Sequence, residues 1–165
     1  MKRMKRFLGL LLCGILTLSC LVSCGESKII KAVSEEIDNY VHCTLNNFAE
    51  EGYDTSADIL EKIYKDSSIR FEYIIIKDNT ASLTVTIKNK NFNTILNRGS
   101  DLAMSRINLV TPFETLMNNA MWEVYDKEEP EEREVELELF KIGDEWKLES
   151  YSYDELVYLV TGIRS

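Results

Sequence analysis

The chain has 165 residues with a formal net charge of −9, a length that suits one ordinary domain. Its 28 acidic residues outnumber its 19 basic ones, which argues against nucleic acid as a partner because phosphate contacts require Lys and Arg. The same balance opposes attraction to an anionic membrane surface.

The first 23 residues show the pattern of a bacterial lipoprotein signal peptide. A basic segment, residues 1–6, precedes an almost continuously apolar one, residues 7–18. A lipobox follows, in which Leu21, Val22 and Ser23 lead to Cys24. Cysteine is required there because its thiolate is the nucleophile that accepts a diacylglyceryl group as a thioether. We therefore predict a cleaved signal peptide over residues 1–23 and lipidation at Cys24.

Two alternatives to this lipobox are weaker. Cys20 has Thr17, not an aliphatic residue, three positions before it. An uncleaved membrane helix would need about 20 apolar residues, more than the apolar run provides. Two acyl chains anchor a protein stably. We therefore expect the lipid on Cys24 to attach the chain to the extracytoplasmic face of the cell membrane, with residues 24–28 as a short tether and residues 29–165 as a single domain.

The remaining reactive side chains do not form a recognisable catalytic group. Cys43 is the one other cysteine of the mature chain, so no internal disulfide is expected. His42 and Cys43 are adjacent, and adjacent helical residues point about 100° apart, so they do not form a dyad. The acidic run 126–134 lacks the alternating ligands and glycine of a calcium loop. We expect no catalytic residue, metal or cofactor.

The hydrophobic pattern predicts helices, a hairpin, helices, a second hairpin and a tail helix, in that order. A long amphipathic helix begins near Lys28, with an apolar stripe from Ile30 to Phe48. A short second helix opens at Thr55. After the first hairpin, Asn91 caps a third helix, which Gly99 weakens. A fourth helix opens at Thr111-Pro112, and Ser152 opens the tail helix.

The strands alternate with period two in the segments 69–77, 82–88, 135–139 and 146–148. The first of them is apolar on both faces, with Phe71, Tyr73 and Ile75 on one side and Ile74 and Ile76 on the other. A strand with a solvated face would alternate. We therefore expect a cover over Ile74 and Ile76, either the tail helix or a second copy of the chain. We favour the tail helix and a monomer, because a dimer bears an association cost.

These elements predict an α+β fold, a curved antiparallel sheet of about four strands packed on helices. The element order resembles the NTF2-like or cystatin-like roll, and in particular small bacterial lipoproteins with such a domain. The resemblance rests on three segments: Val85–Asn89 running into a helix, the closing hairpin Glu138–Leu148, and the ending Thr161-Gly162. It covers about residues 29–162 and implies a fold and a location, with no catalytic residues.

Three functions remain open from the sequence. The first is a tethered, non-catalytic binding or interaction module for a protein or small-molecule partner that the sequence does not identify. The second is a carrier of a small ligand, held between sheet and helices by Tyr73, Trp122 and Trp146, although such aromatics also build ordinary cores. The third is an NTF2-like enzyme, which would require His42 to face inward.

Overall fold

A computed structural model describes the backbone of residues 2–164 and the side chains of residues 24–164. Its elements are, in order, α1 (Lys2–Glu50), α2 (Asp54–Lys65), β1 (Ser68–Lys77), β2 (Thr80–Asn89), α3 (Phe92–Ser105), α4 (Phe113–Lys127), β3 (Glu131–Ile142), β4 (Glu145–Leu148) and α5 (Ser152–Thr161). The strands form an open antiparallel sheet in the order β1-β2-β3-β4. The α+β class and both predicted hairpins are confirmed.

Helix α1 is longer than predicted. It includes residues 24–28, which we expected to form a short tether ahead of the helix. These residues contain no proline, and a single helical glycine costs only about 1 kcal/mol relative to alanine. Gly25 also allows close approach to the sheet, since a Cβ there would lie 3.2 Å from Ile76 Cδ1.

One face of the sheet is covered by α1 and α5 together. Four fully buried or nearly fully buried residues of α1 recur every four positions: Ile29, Val33, Ile37 and Val41. Ile29, not the predicted Ile30, begins this stripe. They pack in one cluster with alternate residues of β2 and β3 and with Leu156, Leu159 and Val160 of α5. The tail helix therefore lies beside α1 on the core face.

A β-bulge corrects the prediction that β1 buries two faces. Tyr73 and Ile74 together lie opposite Leu83, because the pairing with β2 shifts between Glu72 and Ile75. Tyr73 has φ 52° at this point. Before the bulge the odd-numbered side chains of β1 face the core, and after it the even-numbered ones do. Phe71 and Ile74 therefore contact the same core. Neither the tail helix nor a second copy is needed to cover an opposite apolar face.

Along most of β2 and β3 the outer face of the sheet is polar, whereas Tyr73, Ile75 and Ile142 expose apolar surface at its margins. The exposed residues of β3 on this side are Glu132, Glu134, Glu136 and Glu138, and they lie opposite Lys88, Thr86, Thr84 and Ser82 of β2. Two such faces brought together would place rows of like charge against each other, which is unfavourable. These carboxylates oppose the sheet-to-sheet dimer considered from the sequence, and the monomer stays a prediction.

A second apolar cluster joins α2, α3 and α4. Its buried members are Ile59, Leu60, Ile63, Phe92, Ile95, Met121 and Tyr125. Gly99 lies where α3 crosses α4, and a Cβ at this position would be 2.7 Å from Met121 Cγ and 3.1 Å from its Cα. Helix α3 runs unbroken through Gly99. The glycine thus serves close helix packing, and the weakness predicted from its low helix propensity does not interrupt the helix.

The predicted helix starts are only partly correct. Asn91 caps α3, its side chain accepting a hydrogen bond from Thr94 N at 3.0 Å. The first helical residue of α2 is Asp54, so Thr55 lies inside the helix. Pro112, not Thr111, precedes the first residue of α4. The Ser152 hydroxyl instead accepts a hydrogen bond from Glu138 N at 3.0 Å and so ties α5 to β3.

Candidate functional site

A mainly apolar concavity lies among the helices, away from the sheet. We call it the helical groove. It has a volume of about 440 Å³ and is lined by Phe48, Gly52, Tyr53, Asp54, Thr55, Ser56, Leu96, Phe113, Glu114, Met117, Asn118 and Met121. This size lies within the usual range of ligand pockets, about 300–1,000 Å³. The end of α1, the starts of α2 and α4, and one side of α3 therefore enclose a mainly apolar site.

Aromatic side chains form much of the accessible wall of the helical groove. Phe113 and Tyr53 are 47% and 56% exposed. The Phe48 ring packs edge-on against Tyr53, with centroids 6.5 Å apart, and against Phe92 at 5.9 Å. Phe92 is fully buried in the second core cluster, so the groove wall is braced by the core behind it.

The loop between α3 and α4 extends this apolar surface. Ile107 is 57% exposed, Val110 is 90% exposed, and Leu109 is fully exposed. The loop is held by Asn108, whose Oδ1 accepts hydrogen bonds from Val110 N and Thr111 N at 2.9 and 2.7 Å. Contiguous exposed apolar side chains of this kind mark interaction surfaces. The loop leads directly into Phe113, so it adjoins the groove wall in the chain.

The charged residues that line the helical groove are both acidic. They are Asp54 and Glu114, in the first turns of α2 and α4. Each stabilises the positive end of its own helix dipole. Glu50 and Glu51, both exposed, lie between the lining residues Phe48 and Gly52. Among the described residues that line the groove there is no Lys or Arg.

The helical groove is distant from the predicted lipidation site. Phe48 lies 24 residues beyond Cys24 on the same helix, which corresponds to about 36 Å at 1.5 Å per residue. Cys24 itself is exposed. The side chains of Leu21, Val22 and Ser23 lie outside the described residues. In the part of the chain whose side chains are described, no helix has the length and hydropathy to cross a bilayer.

The three aromatic residues suggested as ligand contacts are not brought together. Tyr73 is 77% exposed at the bulge of β1. Trp122 packs against the second cluster, edge-on to Tyr125 at 5.4 Å. Trp146 is buried in the first cluster, between the sheet and α1. The structure therefore does not bring these three residues together in one pocket between sheet and helices.

A separate cleft lies beside Cys24. It is lined by Cys24, Gly25, Glu26, Lys28, Ile74, Ile76, Asp78, Lys141 and Trp146, and its volume is about 670 Å³. Its lining mixes two acidic and two basic residues with apolar ones. The end of the domain next to the predicted anchor is thus close to neutral, in contrast to the acidic mouth of the helical groove.

No catalytic arrangement involves the residues considered from the sequence. His42 and Cys43 are both exposed on α1. Among residues 24–164, no group of His, Cys, Asp or Glu is arranged to hold a metal ion. Hydrogen bonds from Arg106 and then Lys127 lower the pKa of Glu123 to about 2. These surface ion pairs link the C-terminal end of α3 to α4.

Sequence patterns did not single out the helical groove. Phe48 belongs to the apolar stripe predicted for the first helix, a pattern that indicates a core position and not a groove wall. One signal was available: the apolar pair Leu109-Val110 stands in a loop, immediately before a helix start at Pro112. Uncharged β-branched and aliphatic residues in a loop are unusual, because loops normally lie in water.

Comparison with known proteins does not identify a family. No family model matches the chain, and no curated protein sequence matches it. A crystal structure of YcdA from Bacillus subtilis, provisionally described as a lipoprotein, is 22% identical to this chain with a TM-score of 0.48. The alignment covers 76% of this chain and 46% of YcdA, so the chain spans less than half of that protein. At this identity and TM-score the likeness establishes neither a shared family nor a shared function.

Proposed function

We propose that this chain is a lipid-anchored extracytoplasmic bacterial protein that acts as a non-catalytic interaction module through its helical groove. The anchor rests on the order of basic segment, apolar segment and lipobox before Cys24. The interaction role rests on the groove, an apolar site with exposed aromatic walls. The relationship to the NTF2-like or cystatin-like roll rests only on the order of elements.

The observation that carries the proposal is the position of the groove relative to Cys24. A site about 36 Å along α1 from a lipid-bearing residue can be held clear of the bilayer. An apolar patch intended for the membrane would instead be expected beside the anchor. The groove therefore suits a partner that approaches from the side away from the membrane.

The anchor is tested by replacing Cys24. The variant Cys24→Ala should lose acyl labelling and partition into the aqueous phase of a detergent extraction. Cys20→Ala should keep both labelling and membrane association, because its upstream residues fit a lipobox poorly. Retention of Cys24→Ala in the detergent phase would show that the lipobox interpretation is wrong.

The groove is tested with a neutral helical peptide of Leu and Gln that carries leucines at positions i, i+3, i+4 and i+7. Binding is measured by fluorescence anisotropy to the full chain in phosphatidylcholine nanodiscs. Phe113→Ser should weaken binding about tenfold or more, since truncating a central apolar anchor costs about 1.4 kcal/mol or more.

Ile142→Ser is the matched control for this measurement. Ile142 is 60% exposed but lies at the end of β3, outside the helical groove. Its replacement should leave peptide binding unchanged. Two results would show that the groove is not the interaction site. One is equal binding by Phe113→Ser and the unmodified chain; the other is no binding above that of empty nanodiscs.

A further inference from the structure

We infer that the partner of the helical groove is a cationic amphipathic segment of another protein, with apolar side chains in the groove and Lys or Arg beside its mouth. This inference rests on the proposed function, because it names the partner class for the same site. It is carried by charge complementarity, and a second copy or a membrane surface would not provide that complementarity.

The first step concerns the charges at the mouth. Asp54 and Glu114 line the groove. Three more exposed acidic residues, Glu50, Glu51 and Asp58, lie within four residues of Asp54 in the chain. No Lys or Arg is among the described lining residues. The two arginines of α3 and its C-terminal end are already paired, Arg98 with Glu128 at 3.1 Å and Arg106 with Glu123 at 2.7 Å. The mouth therefore keeps its negative charge.

The second step concerns the end of α1. The last turn of α1 contains no basic residue, and Glu50 closes the helix with Glu51 directly after it. Carboxylates at a helix C-terminus are unfavourable, because that end of the helix dipole is negative. Residues that break a local rule without benefit to the fold are expected at functional sites. A cationic partner would relieve this repulsion.

The third step concerns the shape of the site. The groove is bounded by helices, so it offers no strand edge to which an extended peptide could add. Recognition must therefore come from side chains that enter the apolar wall, as with an amphipathic helix laid in a groove. The exposed loop residues Leu109 and Val110 lengthen the apolar contact beyond the groove itself.

The same charges disfavour the other occupants. A second copy would bring its own acidic mouth against this one, and like charges facing each other lower affinity. Anionic lipid headgroups would be repelled in the same way. A cationic segment would instead be attracted by the carboxylates of the mouth.

The test uses three peptides with one apolar face and different polar faces, built from Leu and Lys, Leu and Gln, or Leu and Glu. Each is titrated into the full chain in phosphatidylcholine nanodiscs, with empty nanodiscs as the baseline. The Lys peptide should bind about tenfold more tightly than the Gln peptide, and the Glu peptide more weakly than either. Raising NaCl to 0.5 M should reduce the advantage of the Lys peptide, because salt screens exposed charges.

The double variant Asp54→Asn, Glu114→Gln separates the two proposals. It should lower the affinity for the Lys peptide severalfold more than the affinity for the Gln peptide, and so reduce the preference between them. Phe113→Ser should weaken both peptides. If all three peptides bind equally to the unmodified chain and the double variant, the inference of a cationic partner is overturned while the groove remains a binding site.

Two further outcomes would also overturn the inference. One is self-association of the full chain that Phe113→Ser abolishes, which would make a second copy the occupant. The other is groove-dependent binding to nanodiscs containing anionic lipid, which would make it a membrane surface. Loss of all peptide binding would instead contradict the proposed function itself.

Discussion

Arg133 Nε donates a hydrogen bond to the carbonyl oxygen of Leu159 at 3.1 Å, joining the middle of the sheet to the end of the tail helix. The guanidinium is 4% exposed and also donates to Asn89 Oδ1 and to Glu131 Oε1. Asn89 in turn donates to the carbonyl oxygen of Val160 at 3.4 Å. A cation at the C-terminal end of α5 is favoured by the helix dipole.

We predict that Arg133→Met destabilises the domain by about 1–3 kcal/mol, because it leaves buried acceptors without a donor. Urea unfolding of the chain from residue 25 onward, which contains every described core residue, measures the effect. Arg70→Met is the control, since Arg70 makes an exposed ion pair with Glu132 at 3.5 Å. Such pairs contribute about 0–1 kcal/mol. Equal losses for both variants would contradict a structural role for the buried guanidinium.

Trp146 gives a second prediction. It is 9% exposed and packs in the cluster formed by α1, α5 and the sheet. Trp146→Ala should cost about 3–5 kcal/mol in urea unfolding, the usual range for removing a buried large aromatic. Trp122→Ala should cost less, because Trp122 is only partly buried. A loss below about 1 kcal/mol for Trp146→Ala would mean that its side chain is in contact with solvent.

Gly99 allows a test of close helix packing. In an exposed helix, glycine to alanine is stabilising by about 1 kcal/mol. Here the added methyl would meet the backbone and side chain of Met121. Gly99→Ala should therefore be destabilising by about 1–3 kcal/mol, as for other overpacked sites. Asn97→Ala, an exposed position of the same helix, should be neutral or slightly stabilising; a stabilised Gly99→Ala would show that α3 and α4 separate freely.

Glu123 predicts a pH dependence of unfolding. Hydrogen bonds from Arg106 and then Lys127 lower its pKa to about 2 from an ordinary value of 4.5. Because the folded pKa is the lower one, the stabilisation is present above pH 4.5 and is lost as the pH falls toward 2. Glu123→Gln should reduce the slope of unfolding free energy against pH in this window. An unchanged slope would show that the ion pairs with Arg106 and Lys127 do not persist in solution.

The sequence predicted the elements that follow from a regular period. The alternation of Leu83, Val85 and Ile87 and the spacing of Val33 and Ile37 specified a strand and a helix, because each period leaves one face apolar. Both are buried as expected. The Asn91 cap was recognisable because its hydrogen bond is local.

Features that depend on distant contacts were not predictable in this way. The bulge at Tyr73 shifts the register of β1. The sequence of this strand fits a regular strand with two apolar faces as well as it fits a bulged one. The role of Gly99 depends on Met121, 22 residues later in the chain. The helical groove is formed by four helices, so Phe48 and Phe113 become neighbours of one cavity only after the fold is complete.

The bulge of β1 has a consequence for chains crowded side by side, as the predicted lipid anchor would hold them. Strand β1 ends the sheet, and a regular apolar edge of ten residues would offer a template for pairing with a neighbouring chain. The bulge interrupts the even spacing of its outward backbone groups, and the exposed Arg70, Glu72 and Lys77 place charge along it. At the opposite edge, the four residues of β4 pair only with the end of β3, so the remaining glutamate-rich part of β3 also lies at that edge. Short, charged or irregular edges resist strand addition, so chains held close together by the predicted anchor would resist aggregation.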